Sequence, residues 1–331
     1  MNKEAFGEFL KGRELTKREI EQSIAIVENY EAFLWIGGQN KTLKSSTRED
    51  VQAFSVSMIN LGLNSYDNYI ALARYGLFIE NNELYVGVLE LLDGAEALDN
   101  LYKKVGETLG ETKRDEIFEG IELSPLGSPN TEKPIVMGAA MERLENQVDA
   151  ETCKKILGSG LRDLEGAWYQ EEKQKFKAYG SIDEYLAKKG DDFIAQLEEL
   201  KTENKLFFNQ EITDEVISFV DRVPEIRQGV REGDILYEVK IPHMAIEYLE
   251  EMDEDKKRYY YCHCPWVKES LQTGEVSISP AFCNCSAAFH KKPWEVIFEQ
   301  PLEAEIVESV LQGDLWCKIA IHLPDDVVSG N

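Results

Sequence analysis

Four of the six cysteines in this chain stand in two Cys-x-Cys pairs, Cys262-His263-Cys264 and Cys283-Asn284-Cys285. A thiolate is both a soft metal ligand and a strong nucleophile, so this stretch is where chemistry is expected. Each pair runs into a segment composed like a helix start. Pro265-Trp266-Val267-Lys268-Glu269 follows the first and Ser286-Ala287-Ala288-Phe289-His290 the second. The positive end of a helix dipole favours an ionised sulfur.

Three uses of these residues compete. In an extended segment residues i and i+2 share a face, which pairs Cys262 with Cys264 and Cys283 with Cys285. Two such segments side by side bring four sulfurs onto a tetrahedral zinc, with His263 or His290 as substitute ligands. The second use is a reactive thiolate at Cys264 or Cys285, each beside a helix start, with His263 or His290 as base. The third is a set of buried thiols that behave as small hydrophobes and line a pocket, with Trp266 and Phe282 as apolar walls. Cys317 alternates with apolar residues on 315–323 and reads as core, whereas His322 falls on the opposite face of that strand. Cys153 reads as a structural residue of a helix. The run Glu250-Glu251-Met252-Asp253-Glu254-Asp255 lacks the spaced ligands and glycine of a calcium loop. Phosphate-binding, dinucleotide-binding, zincin and serine-esterase motifs are absent from the sequence.

Composition narrows the partners. The formal charge of −26 opposes phosphate backbones and anionic lipid, so nucleic acid and membrane surfaces are not expected partners. Met1-Asn2-Lys3-Glu4-Ala5 leads into an acidic amphipathic stretch without the apolar centre of a signal peptide, and no run approaches bilayer-spanning length. With 43% hydrophobic residues among 331 there is material for more than one core. The expected compartment is the cytoplasm.

Periodicity gives the elements that position these residues. The first third reads as helices: Ile20, Ile24, Val27, Tyr30, Phe33 and Leu34 recur at helical spacing behind Thr16. Caps at Ser46-Thr47 and Ser65 open two more. Gly37-Gly38 and Gly62-Leu63-Asn64 serve as short connectors of an antiparallel bundle. The turn-rich run 123–130 reads as a linker or long loop, and helices are expected over 135–144, 150–157 and 185–201. From about Asp234 the period becomes that of strands, at 235–241, 258–262, 275–279, 295–300, 303–309 and 315–323, with a Gly-containing hairpin connection at 310–314. The expected fold is α+β: a helical bundle over 1–122, a linker and helical region over 123–225, and an antiparallel-sheet domain over 226–331.

The pattern Phe9-Leu10, Leu15-Thr16, Ile20, Tyr30, Phe33-Leu34, Glu49-Asp50-Val51 and Tyr69 to Ala73-Arg74 resembles the SAM-like core-binding domain of tyrosine recombinases. The resemblance implies a helical fold. Its DNA chemistry is not implied, because the stretch is acidic and the chain lacks the Arg, His, Arg and Tyr set of a recombinase. Over the last third, Cys262-His263-Cys264-Pro265-Trp266, Cys283-Asn284-Cys285-Ser286, Glu308-Ser309, Gln312-Gly313-Asp314 and Cys317-Lys318-Ile319 are similar to the vinyl-4-reductase-like domain and to aminothiazoline-carboxylate-hydrolase-like proteins. That resemblance implies a domain closed around a small organic ligand, in some relatives with cysteine-bound zinc. The expectation is therefore a cytoplasmic small-ligand-binding or sensing protein. Its site would hold Cys262, His263, Cys264, Trp266, Phe282, Cys283, Cys285 and His290, and the acidic bundle would serve interaction or homodimerisation. The alternative is a thiol- or zinc-dependent hydrolase, with Cys264 or Cys285 as nucleophile and His263 as base.

Overall fold

The computed structural model describes residues 1–36 and 41–328, so the expected Gly37-Gly38 connector lies outside the described residues. Helices dominate, with one small antiparallel sheet near the C-terminus, an α+β fold. The chain forms two compact units that differ from the three-part division above: residues 1–95 with 123–133, and residues 96–122 with 134–331.

The first unit contains α1 (Lys3–Lys11), α2 (Lys17–Ile36), α3 (Arg48–Asn60), α4 (Tyr66–Phe78) and α5 (Asn82–Leu92). The caps form where the sequence places them. Glu19 accepts from the Thr16 N–H, Thr47 and Asp50 make a capping box, and Ser65 accepts from the Asn68 N–H. The core packs Phe6, Val27, Tyr30, Phe54, Met58, Tyr69 and Leu72.

The run 123–130 is a long loop and not a linker between bodies, because it is anchored to this bundle. Ser55 Oγ donates to the Gly127 carbonyl at 2.6 Å and lies 2.5 Å from the Tyr69 hydroxyl, while Asn64 donates to Leu126 O at 3.1 Å. Burying loop carbonyls is tolerable because each finds a donor.

The second unit contains α6 (Ala97–Leu109), α7 (Glu111–Phe118), α8 (Lys133–Gln147, whose first residue belongs to the other unit), α9 (Ala150–Gly158), α10 (Gln170–Lys177) and α11 (Ile182–Thr202). It continues with α12 (Asp214–Arg222), α13 (Pro224–Arg227), α14 (Ala245–Glu250), α15 (Glu254–Tyr261), α16 (Lys268–Thr273), α17 (Asn284–Phe298) and α18 (Asp325–Val328). Its sheet has strands β1 (Val230–Glu232), β2 (Ile235–Val239), β3 (Ala304–Glu308) and β4 (Lys318–His322) in the order β1-β2-β4-β3, all antiparallel. Leu236 pairs with Ile321 and Glu238 with Ile319. Leu236, Ile319 and Ile321 pack with Trp294 and Ile297 of α17 and Tyr185 and Leu186 of α11. Val239 and Ile241 join a separate, larger core, so this strand is covered on both sides.

Strands expected at 235–241, 303–309 and 315–323 are present as β2, β3 and β4, joined at 310–314 as expected. The β1 strand was not foreseen. Three expected strands do not form. Residues 258–261 end α15, whose N-cap Asp253 accepts from two backbone N–H groups and so commits the tyrosine-rich run to helix. Residues 295–298 end α17, where Trp294 and Ile297 lie one turn apart in the core; Pro293 is carried inside the helix and Glu299 (φ +58°) caps it. Residues 275–279 are irregular.

Gly127 has φ +85°, and a Cβ there would lie 1.8 Å from the Tyr69 hydroxyl oxygen; Gly62 has φ +66° and open space around it. Gly127→Ala is therefore expected to cost at least about 3 kcal/mol, left-handed strain plus overpacking, against about 1 kcal/mol for Gly62→Ala. Urea unfolding of both variants measures the difference.

Candidate functional site

The chemistry-bearing residues of the second unit gather around the end of β2. Glu238 lies on that strand with its carboxylate buried, 9% exposed. It accepts three hydrogen bonds from two helices. Lys189 Nζ of α11 reaches Oε1 at 2.9 Å, Trp294 Nε1 of α17 reaches Oε1 at 3.2 Å, and His290 Nδ1 of α17 reaches Oε2 at 3.1 Å. The i, i+4 spacing of His290 and Trp294 lets one helix face address both carboxylate oxygens. Burial alone would raise the Glu238 pKa, but Lys189 and the His290 hydrogen bond outweigh it and hold the carboxyl well below its usual range.

An ionised carboxylate only accepts, so Nδ1 of His290 carries the hydrogen and Nε2 presents a lone pair. The His290 side chain is 8% exposed. Its Nε2 has no hydrogen-bond partner among the described residues. Burial lowers its pKa, the Glu238 hydrogen bond opposes this, and Lys240 lowers it further.

Lys240, two residues past Glu238, is the electrostatic centre of the cluster. Its Nζ sits 4.2 Å from the centre of the Phe289 ring. Its charge depresses the basicity of His263 and His290 and opposes the burial-driven rise at Cys285 and Cys317. Neither Glu238 nor Lys240 stood out in the sequence. The available signal was two opposite charges at i and i+2 within an otherwise apolar strand.

The second cysteine pair does not lie as an extended chain would place it. Cys283 caps α17 and Cys285 lies in its first turn, so the helix starts at Asn284 and not at Ser286. Two residues apart on a helix are about 200° around the axis. Cys283 accordingly accepts from Ser309 Oγ at 3.2 Å, and Ser309 also bonds the Cys317 thiol. Cys285 instead meets a backbone hydrogen bond from Leu161 and the charge of Arg162. Cys262 is buried with Trp266 and Phe282 in the larger core, against which Cys264, Cys285 and Cys317 also pack. Among the described residues no three His, Cys, Asp or Glu side chains are grouped so as to hold a metal ion. The set Cys262, Cys264, Cys283 and Cys285 drawn from their spacing is not among such groups in the described residues.

Burial raises the pKa of Cys262, Cys283, Cys285 and Cys317 and so keeps these thiols neutral. It pushes Cys262 and Cys283 far up, with the neighbouring thiols adding to the rise. Cys285 is also raised by burial, but the Leu161 hydrogen bond, Arg162 and Lys240 all pull it back. Cys264 is not an N-cap: Val267 caps the six-residue α16, and the Cys264 carbonyl accepts from the Val267 and Lys268 N–H groups. His263, expected as a base, donates Nε2–H to the Ile241 carbonyl at 2.7 Å, and burial followed by the Lys240 charge pushes its pKa down to about 3.

The Gly313-Asp314 segment is structural. Asp314 accepts from the Ser309 N–H at 2.8 Å and Gly313 takes φ +97°, closing the β3–β4 connection so that Ser309 lies beneath Cys283. No helix among the described residues is long and apolar enough to cross a membrane. In comparisons with known proteins, no family model, curated protein or solved structure matches this chain significantly.

Two imidazoles held neutral make stability depend on pH. In the unfolded chain they bind protons below the ordinary value of 6.5, whereas His263 and His290 resist doing so when folded. Their contribution is complete above that value and is lost as pH falls below it. Thermal midpoints are expected to drop between pH 6.5 and about pH 5, less steeply in His290→Asn, which keeps a donor for Glu238 but does not titrate. An identical slope in the variant would contradict the assignment.

Proposed function

We propose that the second unit binds a small organic molecule beside Lys240, with His290 and the thiol of Cys285 as its polar contacts and the Trp266–Phe282 core behind them. The observation that carries this reading is the Nε2 atom of His290. Buried polar atoms in folded proteins have partners, and this one is aimed by a buried carboxylate at the cost of desolvating three charged or polar groups. A ligand hydrogen-bonded there supplies the missing partner. The likeness of 262–321 to the vinyl-4-reductase-like domain points to the same class of ligand, and a cytoplasmic sensing or binding role fits a chain with charge −26.

A second reading, hydrolysis through a thiol, is favoured by one feature. Cys285 stands in the first turn of a 15-residue helix, facing a backbone donor and two cationic side chains, where a thiolate is best stabilised. In that reading Cys285, one of the two candidate thiols, is the nucleophile.

The test is a fragment screen by ligand-observed NMR on the full chain and on His290→Asn, with iodoacetamide labelling of native protein read by mass spectrometry. Expected are fragments that bind the wild type at least tenfold more tightly than the variant and that slow alkylation of Cys285, while Cys262 and Cys283 stay unlabelled. Fragments that bind both proteins equally and leave Cys285 unprotected would overturn the site.

A further inference from the structure

The chemistry around His290 restricts what can occupy this site; the inference rests on the ligand-binding reading above. The Nδ1–H of His290 is committed to Glu238 at 3.1 Å, so Nε2 offers only a lone pair. A group meeting it must bring a hydrogen, which excludes ethers, ketones and fully ionised carboxylates at that atom. The ammonium of Lys240 lies 4.2 Å from the Phe289 ring, whose centre is 6.3 Å from that of the His290 ring, and its charge reaches the imidazole through space. That position favours negative charge on the ligand. An acid that still holds its proton in neutral solution but gives it up on contact meets both demands with a single group.

We propose that the ligand is a small weak acid, of the phenol, enol, thiol or imide type, that binds as its anion, its proton passing to His290 Nε2 and its charge lying against Lys240. One O–H, S–H or N–H bond of the ligand breaks and one Nε2–H bond forms; the electron pair stays on the ligand. The resulting imidazolium is flanked by the ligand anion on one side and the Glu238 carboxylate on the other, an arrangement that offsets its desolvation. The charged and titratable groups facing His290 are Glu238 and Lys240 from β2 and its end, Lys189 from α11, and His263 from the segment after α15. Of these, Glu238 favours the imidazolium and the two lysines oppose it while no anion is bound, so proton transfer is tied to arrival of the ligand.

The probe is 4-nitrophenol, whose ionised form is yellow, titrated into the full chain at a pH below its own pKa, with 4-nitroanisole as the isostere that has no proton to give. Expected is saturable one-to-one binding with appearance of the nitrophenolate band, no binding of the ether, and loss of both the band and at least tenfold in affinity in His290→Asn. Lys240→Met is expected to weaken binding similarly, and circular dichroism confirms that both variants fold. A bound but colourless phenol, equal binding of the ether, or an undiminished band in His290→Asn overturns the proposal. If nitrophenol fails to bind while His290-dependent fragments still do, the weak-acid assignment falls and the ligand site stands; if neither binds, both fall.

Discussion

The second unit is organised around one buried carboxylate. Glu238 sits on a strand covered on both sides, and its charge is tolerated because Lys189, Trp294 and His290 reach it within 3.2 Å. These donors come from two helices, so the ion ties α11 and α17 to the sheet. Removing one partner of such a buried pair typically costs about 3–5 kcal/mol, with the lower end appropriate here because the Lys189 side chain is about one-third exposed. The same carboxylate sets the tautomer of His290 and therefore the chemistry of the atom it leaves available.

Around this ion the thiols divide by environment and not by sequence pairing. Cys283 and Cys317 share the hydroxyl of Ser309, which is fully buried and held by the Asp314 turn. Cys285 faces the other way, toward Leu161 and Arg162. A helix at the second Cys-x-Cys pair gives positions two residues apart different surroundings, Cys283 bonded to Ser309 and Cys285 toward Leu161 and Arg162. The neutral, desolvated character of the cluster is what makes the Lys240 charge effective over several groups at once.

The sequence reveals elements whose signals are local. Caps at Thr16, Thr47 and Ser65, the alternation of 315–323 and the Gly-containing connection at 310–314 all correspond to what forms. Of the residues it singles out, His290 lies in the Glu238 cluster. It misleads where local preference and tertiary burial disagree. Arg258-Tyr259-Tyr260-Tyr261 has strand composition but follows a helix cap, and 295–300 reads as a strand but 295–298 end α17, whose burial of Trp294 and Ile297 outweighs the hydrogen bond lost at Pro293. Glu238 and Lys240 are hidden for a different reason: in Ile235-Leu236-Tyr237-Glu238-Val239-Lys240-Ile241 the charges fall on what reads as a solvent face. Only the packing of α11 and α17 over that face turns them into a site, and those helices are distant in sequence.

The central claim is that Glu238 holds His290 as a neutral imidazole protonated at Nδ1, with Nε2 bare. Long-range proton–nitrogen correlation of the ¹⁵N-labelled histidine rings at neutral pH measures this directly, with His290→Asn assigning the signals. Expected is an Nδ1–H tautomer for His290, with the nitrogen shift of Nε2 in the range of an unprotonated imidazole. An Nε2–H tautomer, or an imidazolium at neutral pH in the protein without ligand, would contradict it.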